Sequence, residues 1–156
     1  MNTIHIPGFT LIGISIRSTN ENNNQAARDI PALWQKFMGE GVAAKIPQKI
    51  DNHICCVYTD YEKDFTKPYT VVLGCRVKSL AEIPEGMTGI TIDDASYRKF
   101  EAKGNLMQGA VGKAWMDIWK IDLDRDYKAD FEVYDERSQD PAHAVVDIFI
   151  GVNSVL

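Results

Sequence analysis

Residues 9–17 (FTLIGISIR) alternate along the chain, with Ile12, Ile14 and Ile16 on one side of a pleat and Leu11, Gly13 and Ser15 on the other. A period of two predicts a strand. The polar run 20–25 then supplies capping side chains for a helix over 24–38, in which Ile30, Leu33, Trp34 and Phe37 recur at three- and four-residue intervals. Gly39 and Gly41 end it. Two β-branched and aromatic runs follow, 53–59 and 69–77, predicted as a hairpin with a long connection.

The pattern lapses into Ser, Glu, Pro and Gly from residue 78, and 78–90 reads as a linker. The order then repeats. A strand at 96–103 precedes a helix over 106–120 carrying Ala110, Val111, Ala114, Trp115, Ile118 and Trp119, and strands at 131–135 and 144–152 complete the set. Strand, helix, strand, strand thus occurs twice at a period of about 80 residues. The expectation is an α+β fold over residues 1–156, with pseudo-symmetric β-α-β-β modules at about 8–77 and 91–152. Their antiparallel sheets would carry helices on one face and a ligand cleft on the other.

The last strands suggest what that cleft holds. Val146, Ile148 and Ile150 form an all-aliphatic face suited to a helix, leaving Asp147 and Phe149 for the opposite, uncovered one. The same reasoning turns Phe131 and Val133 to the core and Glu132 with Tyr134 to the hollow. Two acids among rings suit a bulky organic cation, which both the charge and the ring quadrupoles attract. Trp115 and Trp119 lie four apart on one helical face, as core or rim packing that also edges the pocket. Trp34 reads as core. Tyr58, with Tyr61 and Tyr69, borders the long hairpin loop, which would hang over the opening.

Composition narrows the class. With 17 basic against 22 acidic residues the formal charge is −5, which disfavours nucleic acid as a direct ligand. At 45% hydrophobic and 25% charged the chain has globular balance, and no stretch approaches the roughly 20 apolar residues a membrane helix needs. No secretory pattern opens it, so the expected location is the cytoplasm. Cys55, Cys56 and Cys75 are odd in number, and His53 with Cys55 and Cys56 lacks zinc spacing. No cofactor, metal site or catalytic residue is expected. The stretch 109–114 (GAVGKA) is not a phosphate loop, and no G-x-S-x-G occurs.

FEVYDER at 131–137, a short loop with Pro141 and VDIFIGV at 146–152 resemble the carboxy-terminal signature of the GyrI-like, AraC-type effector-binding domains. YRKFEAKG at 97–104, the helix ending at Trp115 to Trp119, IPALW at 30–34 and YTVVLG at 69–74 match that family in order and spacing. The chain looks like a standalone small-molecule-binding member, similar to integron-cassette cationic-drug binders. The resemblance implies tandem modules around a cleft, with the acid of the last strand facing the ligand. Here that acid is Asp147 where the family usually has glutamate, and Phe149 and Gly151 stand for its tyrosine and proline.

The leading expectation is therefore a binder of hydrophobic or cationic small molecules, regulator-like but without a DNA-binding domain, with Asp147 as charge partner and Glu132, Tyr134, Phe149, Trp115, Trp119 and Tyr58 around it. A small hydrolase using a cleft carboxylate and a topoisomerase-interacting protein are the alternatives. A homodimer through an edge strand, or a protein partner, is permitted.

Overall fold

The computed structural model describes residues 3–153; residues 1, 2 and 154–156, the ends of the expected 1–156 span, lie outside the described residues. The chain runs β1 (Thr3–Ile6), β2 (Phe9–Ser18), α1 (Glu21–Asn24), α2 (Ala26–Gly39), α3 (Val42–Lys45), β3 (Ile54–Thr59) and β4 (Tyr69–Val77). It continues with β5 (Thr88–Ile92), β6 (Ala95–Gly104), α4 (Ala110–Trp119), β7 (Arg125–Tyr134) and β8 (Ala144–Val152). The architecture is α+β: one antiparallel sheet of eight strands in the order β1-β6-β8-β7-β3-β4-β2-β5, with few helices.

Two short strands were not legible from periodicity. β1 precedes β2, and β5 begins inside the stretch read as linker. Both work as extensions of a neighbour. Thr3 lies opposite Arg98 through Ile6 opposite Ala95, and the same register resumes from Phe9 opposite Ile92 to Gly13 opposite Thr88. The outermost strands therefore form one ribbon that pairs across the break at Pro7, Gly8, Asp93 and Asp94. This ribbon curls the sheet until its two edges meet, and the Gly8 amide, freed at the break, donates to the Asp94 carboxylate.

Curling buries both faces. One side carries Ile12, Ile14, Cys56, Val71, Leu73, Val146, Ile148 and Ile150 under the helices, packed with Leu33 and Phe37 of α2 and Trp115 and Ile118 of α4. The other side folds inward as a second core of Leu11, Cys55, Val57, Val72, Tyr97, Phe131 and Val133. Phe131 sits at its centre, edge-on to Phe9 and Tyr97 at 5.2 Å each and stacked on Phe149 at 4.8 Å. The open hollow expected on the face away from the helices is thus filled with aromatic side chains. The three cysteines are buried free thiols, and burial pushes Cys55 up to about 12.

Candidate functional site

A cavity of about 1330 Å³ lies on the helix side of the sheet, between α2 and α4. Its floor comes from β3 and β7, the two strands at the middle of the sheet, through Ile54, Tyr58, Glu132 and Tyr134. α2 contributes Ile30, Trp34 and Met38, while α4 contributes Val111, Trp115, Met116 and Trp119. The helices and the cleft share a face. That corrects the expectation that they occupy opposite ones, and the reason is the inward curl just described.

Glu132 is the centre of the floor. It is only 1% exposed, yet its carboxylate is surrounded by donors. Tyr58 Oη donates to Oε2 at 2.7 Å, Trp115 Nε1 to the same oxygen at 2.6 Å, and Tyr134 Oη to Oε1 at 2.7 Å. Desolvation raises the Glu132 carboxyl above its ordinary range, and the three hydrogen bonds pull it back only in part. The phenols of Tyr58 and Tyr134 are pushed up by burial, which keeps them protonated as donors. Among the described residues, Glu132 has no ion-pair partner.

Asp130, two residues earlier and just as buried, makes the contrast. It takes Arg125 Nη2 at 2.7 Å, the Gly151 amide at 2.8 Å and the Tyr61 hydroxyl. One buried acid carries its own cation; the other lacks one.

Rings wall the space. Tyr58 meets Trp115 edge-on at 5.3 Å, and Trp34 meets Tyr134 edge-on at 4.7 Å. Loop 60–68 closes one end by laying Phe65 flat on Trp119, the planes 9° apart at 5.4 Å. The loop is held there by the Asn20 amide, which donates to the Phe65 carbonyl at 2.6 Å, and by Arg17, which donates to the carbonyls of Asp60 and Pro68. At the other end the wall turns polar, with Asp51, His53, Asp135 and Glu136.

Of the residues expected to form the site, Glu132, Tyr134, Trp115, Trp119 and Tyr58 come together here. Asp147 and Phe149 do not. Directly opposed residues of antiparallel strands project to one face, and the register sets Glu132 against Ile148 but Val133 against Asp147 and Phe131 against Phe149. Asp147 therefore lies on the opposite side of the sheet from Glu132. There its carboxylate receives Arg137 Nη2 at 2.6 Å, with Lys99 Nζ at 3.8 Å. Trp34, read as core, lines the cavity instead, as does His53, and Tyr69, expected beside the loop over the opening, lines it too. Nothing in the spacing of Trp34 or His53 marked them as cavity residues. The ligand atoms of His53, Asp135 and Glu136 lie within 4.8 Å of one another. Both Asp135 oxygens are engaged by Arg137, and Arg76 donates to His53 Nδ1 at 3.1 Å.

The family of integron-associated effector binding proteins matches this chain over residues 4–152. The chain belongs to that family. Among known relatives of this integron-associated effector binding protein is the putative transcriptional regulator YobU of Bacillus subtilis (strain 168), 27% identical over 151 residues, 95% of this chain and 94% of YobU. The integron cassette protein VCH_CASS2 from the mobile metagenome of Vibrio cholerae superposes with a TM-score of 0.74 at 27% identity, covering 97% of this chain and 95% of its own. SAV2435 bound to tetraphenylphosphonium shares the fold, with a TM-score of 0.78 at 21% identity over 98% of this chain and 93% of its own. Small-molecule binding is accordingly the function class of this effector-binding protein. No described helix is long and apolar enough to cross a membrane.

Proposed function

We propose that the cavity between α2 and α4 is the effector site and that it takes a bulky, hydrophobic organic cation, with Glu132 in place of Asp147 as the charge partner. The observation that carries this reading is a buried carboxylate with three neutral donors and, among the described residues, no cation, at the floor of an aromatic-walled space. Removing an ion from water costs several kcal/mol, and hydrogen bonds from neutral groups recover only part of that. An incoming cation supplies the missing counter-charge, and ring faces add about 0.5–2 kcal/mol per contact. The volume exceeds the several hundred Å³ of an ordinary drug site, which suits a branched or multi-ring ligand. The tetraphenylphosphonium carried by SAV2435 is of that kind.

Trp34, Trp115 and Trp119 border the cavity, so tryptophan fluorescence reports occupancy directly. Titration with tetraphenylphosphonium is expected to quench it in the wild type. Glu132→Gln is expected to weaken binding by about tenfold to a hundredfold, the range for a buried interaction with a charged group, while a neutral compound of similar shape such as triphenylphosphine oxide loses far less. Asp147→Asn is expected to leave the affinity where it was. Equal cation affinity in wild type and Glu132→Gln, with both folded by circular dichroism, would overturn the assignment.

A further inference from the structure

We infer that the cavity has two negative poles and that its preferred effectors are elongated aromatic dications, one charge seated at Glu132 and the other at Glu136 in the mouth. The inference rests on the site proposed above and names its ligand class. β7 runs along the cavity floor, and Glu136 lies four residues beyond Glu132, just past the strand's end at Tyr134. At about 3.3 Å per extended residue, four residues place the two acids roughly 13 Å apart along the chain. The same cavity is lined by Tyr134, whose hydroxyl donates to Glu132, and by Trp34 and Ile54.

Charge accounting at the mouth singles out Glu136. Asp51 is paired with Arg76 at 2.9 Å. Asp135 is held by Arg137 through Nε at 3.0 and 3.2 Å and through Nη2 at 2.8 Å, and the same guanidinium reaches Asp147. Among the described residues the ion-pair contact of Glu136, whose side chain is exposed, is His53, with Nε2 3.7 Å away. Arg76 Nη2 donates to His53 Nδ1 at 3.1 Å, and Asp51 Oδ2 lies 3.6 Å from the same nitrogen, so that edge of the ring is already engaged. Glu136 thus has no Lys or Arg counter-charge among the described residues. An organic cation, which needs no vacant ligand atoms, is the occupant this arrangement favours.

The test compares α,ω-bis(pyridinium)alkanes, from propane-linked to dodecane-linked, with N-alkylpyridinium monocations of matched length, read by tryptophan quenching. Bis-cations, their affinity halved to allow for two equivalent heads, are expected to bind about two- to fivefold more tightly than their monocation partners, as for an exposed ion pair, with a maximum at the spacer that spans about 13 Å. High salt is expected to erase this ratio because the mouth is open to solvent. In Glu136→Gln the ratio is expected to fall to about one, whereas in Glu132→Gln both affinities drop and the ratio persists. A ratio near one at every length in the wild type, or one that survives in Glu136→Gln, overturns the second pole and leaves the first standing. Monocations that bind wild type and Glu132→Gln alike overturn the site itself, and the dication class with it.

Discussion

At the scale of single residues, Glu132 makes binding and stability depend on pH with a definite sign. Its carboxyl is raised above the ordinary glutamate range by burial. Below that raised value it holds a proton, which a cation must displace. The affinity for a permanently charged ligand is expected to climb as pH rises through the window above the ordinary value and then to level off. Calorimetry in buffers of different ionisation enthalpy should register proton release within that window and none above it. Unliganded stability runs the other way: the folded state keeps a proton that the unfolded chain has already lost, so stability falls as pH rises across the same window. Asp130, also raised, adds to this fall, whereas Asp29, Asp64 and Asp135 are lowered and act only below the ordinary aspartate range. The difference between wild type and Glu132→Gln in urea melts at a series of pH values isolates the Glu132 contribution. A flat difference would exclude a raised carboxyl. The donors matter too: Tyr58→Phe removes one of three bonds to a buried charge and is expected to cost about 1–3 kcal/mol by the same melts. The acids and rings on the final strands were legible as chemistry, but the side they face was not. Alternation tells which residues share a face, yet each of β3, β7 and β8 has two apolar-rich faces, so "core" did not single one out.

At the scale of elements, the six long strands and the two main helices were located by the stripe each must bury, except for the first half of β7, residues 125–130, where an irregularity in the ladder between Arg125 and Asp130 breaks the alternation. β1 and β5 have no such stripe. They are held by a shared ladder with β6 and β2, and a ladder is a long-range backbone property that no local side-chain pattern encodes. The β2–β4 pair holds another such feature. Gly13 lies opposite Gly74, and a Cβ on either would come 2.1 Å from a carbonyl of the facing strand, that of Leu73 or Ile12 respectively. No rotamer relieves a backbone clash. Gly13→Ala and Gly74→Ala are each expected to destabilise the protein by about 3 kcal/mol or more, at the upper end of overpacking costs, whereas Gly112→Ala on α4 meets nothing within 4 Å and should be neutral or stabilising. Chemical denaturation midpoints distinguish these outcomes.

At the scale of the molecule, the cavity lies where both halves of the chain contribute. β3 and α2 come from the first β-α-β-β set, β7 and α4 from the second, and the β3–β7 ladder joins them with Cys56 opposite Glu132. The closing ribbon crosses between the same halves on the far side of the sheet. A ligand touching all four elements therefore binds the assembled sheet and neither half alone, so its binding energy must enter the global unfolding equilibrium. At a free concentration of about 100 times Kd that contribution is about 2.7 kcal/mol, which for a domain of this size corresponds to a Tm rise of about 6–10 °C. Differential scanning calorimetry with tetraphenylphosphonium is expected to show one transition moving upward as a whole, and a much smaller shift in Glu132→Gln. Two transitions, only one of them responding to ligand, would mean that the halves unfold independently and that the effector is held by one of them.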